Sequence, residues 1–94
     1  MQCYVYLLAS GKNGYLYIGV TKDLIGRICK HKNNTCNGFA QSRGIHILVY
    51  FESFDDINKA IAREKQLKKW RRDWKIKLIE KSNPSWIDLY SSLK

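Results

Sequence analysis

The chain lacks most of what a secreted, membrane-spanning or multi-lobed protein needs. It has one proline, Pro84, and no Pro-, Gly- or Ser-rich tract to serve as a linker. No apolar run approaches the roughly 18 residues of a membrane span, the longest being the neighbourhood of Ile47 to Phe51, so a soluble protein and no membrane partner are expected. Cysteines number three, Cys3, Cys29 and Cys36. That odd count, with no export-signal pattern in the first residues, predicts free thiols in a reducing cytoplasm. Asn33-Asn34-Thr35 fits the N-glycosylation pattern, which carries meaning only in an exported protein. Neither C-x-C nor C-x₂-C pairs occur, so Cys29, His31 and Cys36 are not expected to bind zinc. P-loop, G-x-G-x-x-G and H-E-x-x-H patterns are absent too, which removes the nucleotide and zinc hydrolases built on them.

Acidic residues are also scarce. Eight Asp and Glu face 17 Lys and Arg, a net charge of +9 on 94 residues, while a hydrophobic fraction of 45% is too high for a disordered basic tail. A folded cation of this size points to a polyanion as partner, nucleic acid or an anionic membrane surface, with an acidic protein as a third option; the membrane surface fits less well, because the helices' apolar faces are needed for the core. A chain this short holds one hydrophobic core, so residues 1–94 are expected to form a single domain without a cleft between lobes.

Cys3 to Ala9 and Tyr15 to Val20 are rich in β-branched and aromatic residues, and the turn chemistry of Ser10-Gly11-Lys12-Asn13-Gly14 between them predicts a β-hairpin. Strand alternation puts Tyr4 and Tyr6 on one face, Tyr15, Tyr17 and Gly19 on one face, and Val5, Leu7, Leu16 and Ile18 on the other. Thr21 or Asp23 caps a helix through Leu24, Ile25, Arg27, Ile28 and His31. Asn33 to Arg43 reads as a loop, and His46 to Phe54 as a third strand. Asp55 or Asp56 caps a second helix with the stripe Ile57, Ala60, Ile61 and Leu67, and a third helical pattern follows in Trp74, Ile76, Leu78 and Ile79. Pro84, capped by Asn83, is expected to open a last short helical turn carrying Trp86, Ile87, Leu89 and Tyr90. The order is an α+β layout around a small sheet.

Three features bear on chemistry. At 100° per residue Glu64 lies within the apolar stripe of its helix, and a carboxylate there requires a cation, either a basic side chain or a metal. Arg27 and His31 are four apart and project together; a guanidinium forks onto two phosphate oxygens and an imidazole relays a proton near neutral pH. Residues 59 to 81 hold ten cations against three acids, the footprint of phosphate contact, with Arg63, Lys65, Lys68, Lys69, Arg71 and Arg72 as candidate nucleic-acid contacts. Trp70 and Trp74 could stack on bases, but their helical spacing predicts anchoring in the core.

These residues together resemble the GIY-YIG nuclease superfamily, closest to its small single-domain stand-alone bacterial branch. Tyr4-Val5-Tyr6 stands where that family has its first motif, and Tyr17-Ile18-Gly19 is the second motif intact. Arg27 with His31, the run from Arg63 and Glu64 to Trp70, and Asn83-Pro84 follow in order. The resemblance implies a three-stranded antiparallel sheet, with the hairpin's first strand central, flanked by three helices. It implies a cytoplasmic endonuclease that hydrolyses DNA phosphodiester bonds, with Glu64 holding Mg²⁺ or Mn²⁺, Tyr17 as general base and Arg27 on the phosphate. Tyr6, His31 and Asn83 would orient water, substrate or one another. A phenol ionises near pH 10, so a tyrosine base requires positive charge beside it, which Arg27 and a metal would supply. A domain this small carries no appended reader of sequence, so selectivity would come from DNA shape or an unknown protein partner. The alternatives are a catalytically degenerate nucleic-acid-binding module and a basic module for an acidic protein surface.

Overall fold

The computed structural model describes residues 2–32 and 44–93. Strand β1 (Cys3–Ala9) pairs antiparallel with β2 (Leu16–Thr21) on one side and with β3 (Ile47–Phe54) on the other, giving the order β2-β1-β3 with the hairpin's first strand central. The turn between β1 and β2 closes through Ser10, whose N–H donates to the Tyr15 carbonyl at 3.1 Å while its Oγ accepts from the Tyr15 N–H at 2.9 Å. Asn13 takes a left-handed φ of 61° there, a conformation Asn tolerates better than most residues.

Helix α1 (Leu24–Lys32) starts where predicted: Asp23 Oδ1 accepts from the Gly26 N–H at 3.1 Å, and Thr21 Oγ1 from the Asp23 N–H at 3.0 Å. Helix α2 (Ile57–Lys69) is capped by Asp56, whose carboxylate accepts from the Asn58 N–H at 2.9 Å, and α3 (Arg72–Ser82) follows after a break at Trp70 and Arg71. The predicted loop from Asn33 to Arg43, with Cys36, lies outside the described residues.

Strand alternation divides the core into two layers. Cys3, Val5, Leu7 and Ala9 join Ile18 and Val49 under α2 and α3, where Ala60, Leu67 and Ile79 are buried. Tyr6 and Leu8 join Leu48 and Ile45 under α1, which contributes Leu24 and Ile28. Each such buried aliphatic side chain contributes about 1.5–3 kcal/mol, so both faces of the sheet are held by apolar contact.

The register slips between Leu7 and Leu8, so that Leu7 pairs with Tyr50 and Leu8 with Leu48, leaving Val49 unpaired as a bulge. The C-terminal segment satisfies the strand there. Asn83 Nδ2 donates to the Val49 carbonyl at 3.1 Å, the Leu48 N–H donates to Asp88 Oδ1 at 3.2 Å, and the Leu89 N–H to the Leu48 carbonyl at 2.8 Å. This docking moves the last helical turn. The expected turn from Pro84 is replaced by a tight turn, Trp86 stands at a left-handed φ of 56°, and the short helix α4 runs Tyr90–Leu93 with Asp88 accepting from the Tyr90 N–H at 3.0 Å. The Asn83 side chain reaches the bulge and the Ile87 backbone instead of capping a helix at Pro84, and left-handed Trp86 cannot continue one.

Candidate functional site

The face under α1 gathers the hairpin phenols. Tyr6 pairs in register with Gly19, and Tyr17 with Leu8, so both rings project from the same side, their centroids 6.3 Å apart and their planes tilted by 36°. Tyr6 is buried and Tyr17 half-buried. Gly19 makes this possible: a Cβ at that position would fall 2.6 Å from Tyr6 Cζ, far inside van der Waals contact. The Tyr6 ring therefore lies across the neighbouring strand only because that residue has no side chain.

Arg27 sits on α1 between the buried Leu24 and Ile28 and is itself exposed. Among the described residues its guanidinium enters no ion pair, and its fork of donors is of the shape that matches an oxyanion. His31 follows one turn later on the same helix, and its side chain lies outside the described residues.

Glu64 belongs to the other layer, on α2, which packs across β1 and β2. The edge strand β2 is thus the element shared by the helix bearing the carboxylate and by Tyr17. The Glu64 side chain is 19% exposed and its Oε2 stands 3.3 Å from Lys68 Nζ, so the cation that a carboxylate in the apolar stripe requires is supplied by Lys68. That ammonium is 55% exposed, so its end of the pair stays open to water and salt. Among the described residues no three His, Cys, Asp or Glu side chains cluster as a metal site. The donor set is one carboxylate. It fits Mg²⁺ or Mn²⁺, which retain waters and share phosphate oxygens, and does not fit a structural zinc.

The remaining candidates divide by what they touch. Lys65 and Lys69 are exposed. Arg63 is engaged by the protein: its Nε and Nη2 donate to the two carboxylate oxygens of Glu52 at 2.9 and 3.0 Å, its Nη1 to Gln66 Oε1 at 2.6 Å, and its guanidinium lies 5.2 Å from the Trp70 ring. Tyr50 adds a short hydrogen bond to the same carboxylate. Burial, followed by the bond to Glu52, pushes the Tyr50 phenol up to about 12. Burial works to raise the Glu52 carboxyl too, but the hydrogen bonds from Arg63 and Tyr50 and the Arg63 charge outweigh it and hold it below the ordinary range. The signal for this cluster was available: Tyr50 and Glu52 are two apart on one strand and therefore share a face.

Arg72 reaches the hairpin, donating to the Asn13 and Gly14 carbonyls at 2.6 Å each, and Arg71 pairs with Asp73 at 3.0 Å. Asn83 is buried. Its amide donates to the Val49 and Ile87 carbonyls, at 3.1 and 2.9 Å, and accepts from the Ile87 N–H at 3.1 Å, so both of its donors are occupied within the fold.

A three-stranded sheet whose central strand sets a tyrosine across a glycine of its neighbour, beneath a helix bearing an exposed arginine, defines a small basic α+β domain. The family model for the GIY-YIG catalytic domain matches residues 2–77, and the chain belongs to that nuclease family. It is 40% identical over 76 residues to the UPF0213 protein SSP2268 of Staphylococcus saprophyticus, covering 81% of this chain and 92% of that one. It is 41% identical over 76 residues to the UPF0213 protein CPE1444 of Clostridium perfringens, covering 81% of each. The solution NMR structure of the UPF0213 protein BH0048 from Bacillus halodurans superposes with a TM-score of 0.58 at 30% identity, over 94% of this chain and 93% of that one.

Proposed function

We propose that this chain is a divalent-metal-dependent endonuclease acting on DNA phosphodiester bonds. The observation that carries the reading is the Tyr6–Tyr17 pair lying against Gly19 on the face covered by the helix of the exposed Arg27. In this reading Arg27 grips the scissile phosphate through two guanidinium donors and offsets the charge that grows on it. Tyr17 accepts a proton from the attacking water, and Tyr6, packed beside it, fixes its orientation. His31, one helical turn beyond Arg27, orients water or substrate. Glu64, released from Lys68, would hold Mg²⁺ or Mn²⁺. When bound, that ion polarises the phosphate and stabilises the leaving oxygen. Asn83 acts through the fold, holding the C-terminal segment against β3. Lys65, Lys68 and Lys69 contribute contacts to the DNA backbone that carry no sequence information. The odd count of three cysteines agrees with reduced thiols in a cytoplasmic setting.

The Glu64–Lys68 pair favours one rival, a nucleic-acid-binding module whose metal position has closed. The test is nicking of supercoiled plasmid by the pure protein with Mg²⁺ or Mn²⁺. Conversion to the open circle that stops on adding EDTA supports cleavage. Plasmid left intact by protein that nonetheless retains it, with salt-sensitive binding unchanged by Glu64→Ala, supports the rival.

A further inference from the structure

The outer side of α3 carries a surface that the cleavage reading does not use. Trp74 is 47% exposed, so the anchoring predicted for both tryptophans does not hold for it. Trp70, which is half-buried and packs on the core, meets it edge to face, with centroids 5.9 Å apart, and the Arg71 guanidinium lies 5.3 Å from the Trp74 ring, so a base stacking there shares the indole with that cation. Together with Lys77, Leu78 and Lys81 the two indoles line an open hollow of about 370 Å³. Positions 74, 77, 78 and 81 fall on one face of a helix, so the aromatic ring and the two ammonium groups face the same way.

Neither ammonium group of this face enters an ion pair among the described residues. Both acids of α3 are engaged elsewhere: Asp73 with Arg71 at 3.0 Å, and Glu80 with the Trp86 indole N–H at 2.8 Å. Lys77 and Lys81 have no carboxylate partner among the described residues. The surface flanks the core layer covered by α2 and α3, on the other face of the sheet from α1.

We infer that this Trp70–Trp74–Lys77–Lys81 hollow is a docking surface for single-stranded nucleic acid, in which an unpaired base stacks on Trp74 while Lys77 and Lys81 bind the flanking phosphates. An exposed indole between ammonium groups suits that ligand because every base offers a π-face, which a duplex keeps inside its own stack. The inference goes beyond cleavage and needs no metal.

The experiment is equilibrium binding of the full chain, in EDTA, to fluorescein-labelled oligothymidylate, oligouridylate and a duplex of equal length. Trp74→Ala is expected to weaken binding of the single strands about tenfold and that of the duplex less than twofold, with Trp74→Phe restoring most of the loss. The double variant Lys77→Ala/Lys81→Ala, which touches only exposed charge, is expected to reduce the salt slope by about 0.7 per lysine. Preference for one of the two oligonucleotides distinguishes DNA from RNA and supports the surface either way. Unchanged single-strand affinity in both variants overturns the proposal, as do equal losses for single strand and duplex. An equal Trp74-dependent affinity for poly-glutamate overturns it in favour of an acidic protein partner. Because no readout is cleavage, a protein that never nicks DNA can still pass, and one that nicks it can still fail.

Discussion

On the sheet face toward α2, Tyr50, Glu52 and Arg63 satisfy one another: the guanidinium occupies both oxygens of the carboxylate, and the phenol donates to one of them. On the face toward α1, Tyr6 and Tyr17 stand beside each other, Arg27 is exposed on the covering helix, and the acid of the set, Glu64, lies in the other layer with a loosely held lysine. Both sets contain tyrosine, arginine and glutamate. The difference lies in the arginines: Arg63 is bonded to both oxygens of Glu52, whereas Arg27 enters no ion pair among the described residues. An arginine whose fork is filled by a carboxylate has little left for a phosphate, whereas an exposed one loses only water when a phosphate arrives.

The largest effect that would break this contrast is on turnover. Arg27→Ala and Glu64→Ala are each expected to lower plasmid nicking at least a hundredfold while moving the melting midpoint by less than about 4 °C, since each removes an exposed or weakly paired charge. Glu52→Gln is expected to do the opposite, keeping nicking per folded molecule while leaving Arg63 without its anion at a cost of about 1–3 kcal/mol in urea unfolding. If Glu52→Gln abolished cleavage in folded protein, the Tyr50 cluster would have to be counted as part of the site.

Gly19→Ala joins the two measurements. Its new methyl group meets the Tyr6 ring and must displace it, so a loss of about 1–3 kcal/mol is expected together with a fall in turnover, because the phenol pair moves as well. A variant that kept full stability and full activity would remove the geometric reason for a glycine at that position.

Much of this arrangement was legible from local rules. The hairpin follows from Ser10 to Gly14, the two helix starts from Asp23 and Asp56, and the half-buried position of Glu64 from its angle within the stripe of Ala60 and Leu67. What local rules missed depends on contacts between distant residues. Asn83 and Pro84 look like a helix start, and only the bulged Val49 carbonyl, 34 residues away in the chain, explains why the Asn83 side chain turns elsewhere. Arg63 belongs by composition to a basic run, and only the packing of α2 against β3 hands it to Glu52. Trp74 has the spacing of a core residue, but α3 buries Ile79 and leaves that indole outside.

The closed cluster also predicts how stability varies with pH. Glu52 has a folded pKa below its ordinary value of 4.5, so its contribution is complete above that pH and disappears as the pH falls through the folded value. Tyr50 is shifted the other way, from 10.0 to about 12, so its contribution is complete below pH 10 and is lost as the pH rises through 12. Urea midpoints measured across both limbs should show the acid limb flattened in Glu52→Gln and the alkaline limb flattened in Tyr50→Phe. Identical limbs in wild type and both variants would mean that the cluster is not formed in solution.

The smallest expected effect concerns Lys68, which sits where the two arrangements meet: it belongs to the basic helices, yet it neutralises the acid of the open set. Lys68→Ala removes one phosphate contact, so the salt slope of DNA binding should become shallower by about one unit at most, with a slight loss of affinity. The same change frees Glu64 from its competitor, so the Mg²⁺ concentration for half-maximal nicking should fall even as binding weakens. Opposite movements of these two quantities would establish that lysine and metal contend for one carboxylate. A metal requirement that stays constant while the salt slope changes would assign Lys68 to the DNA alone.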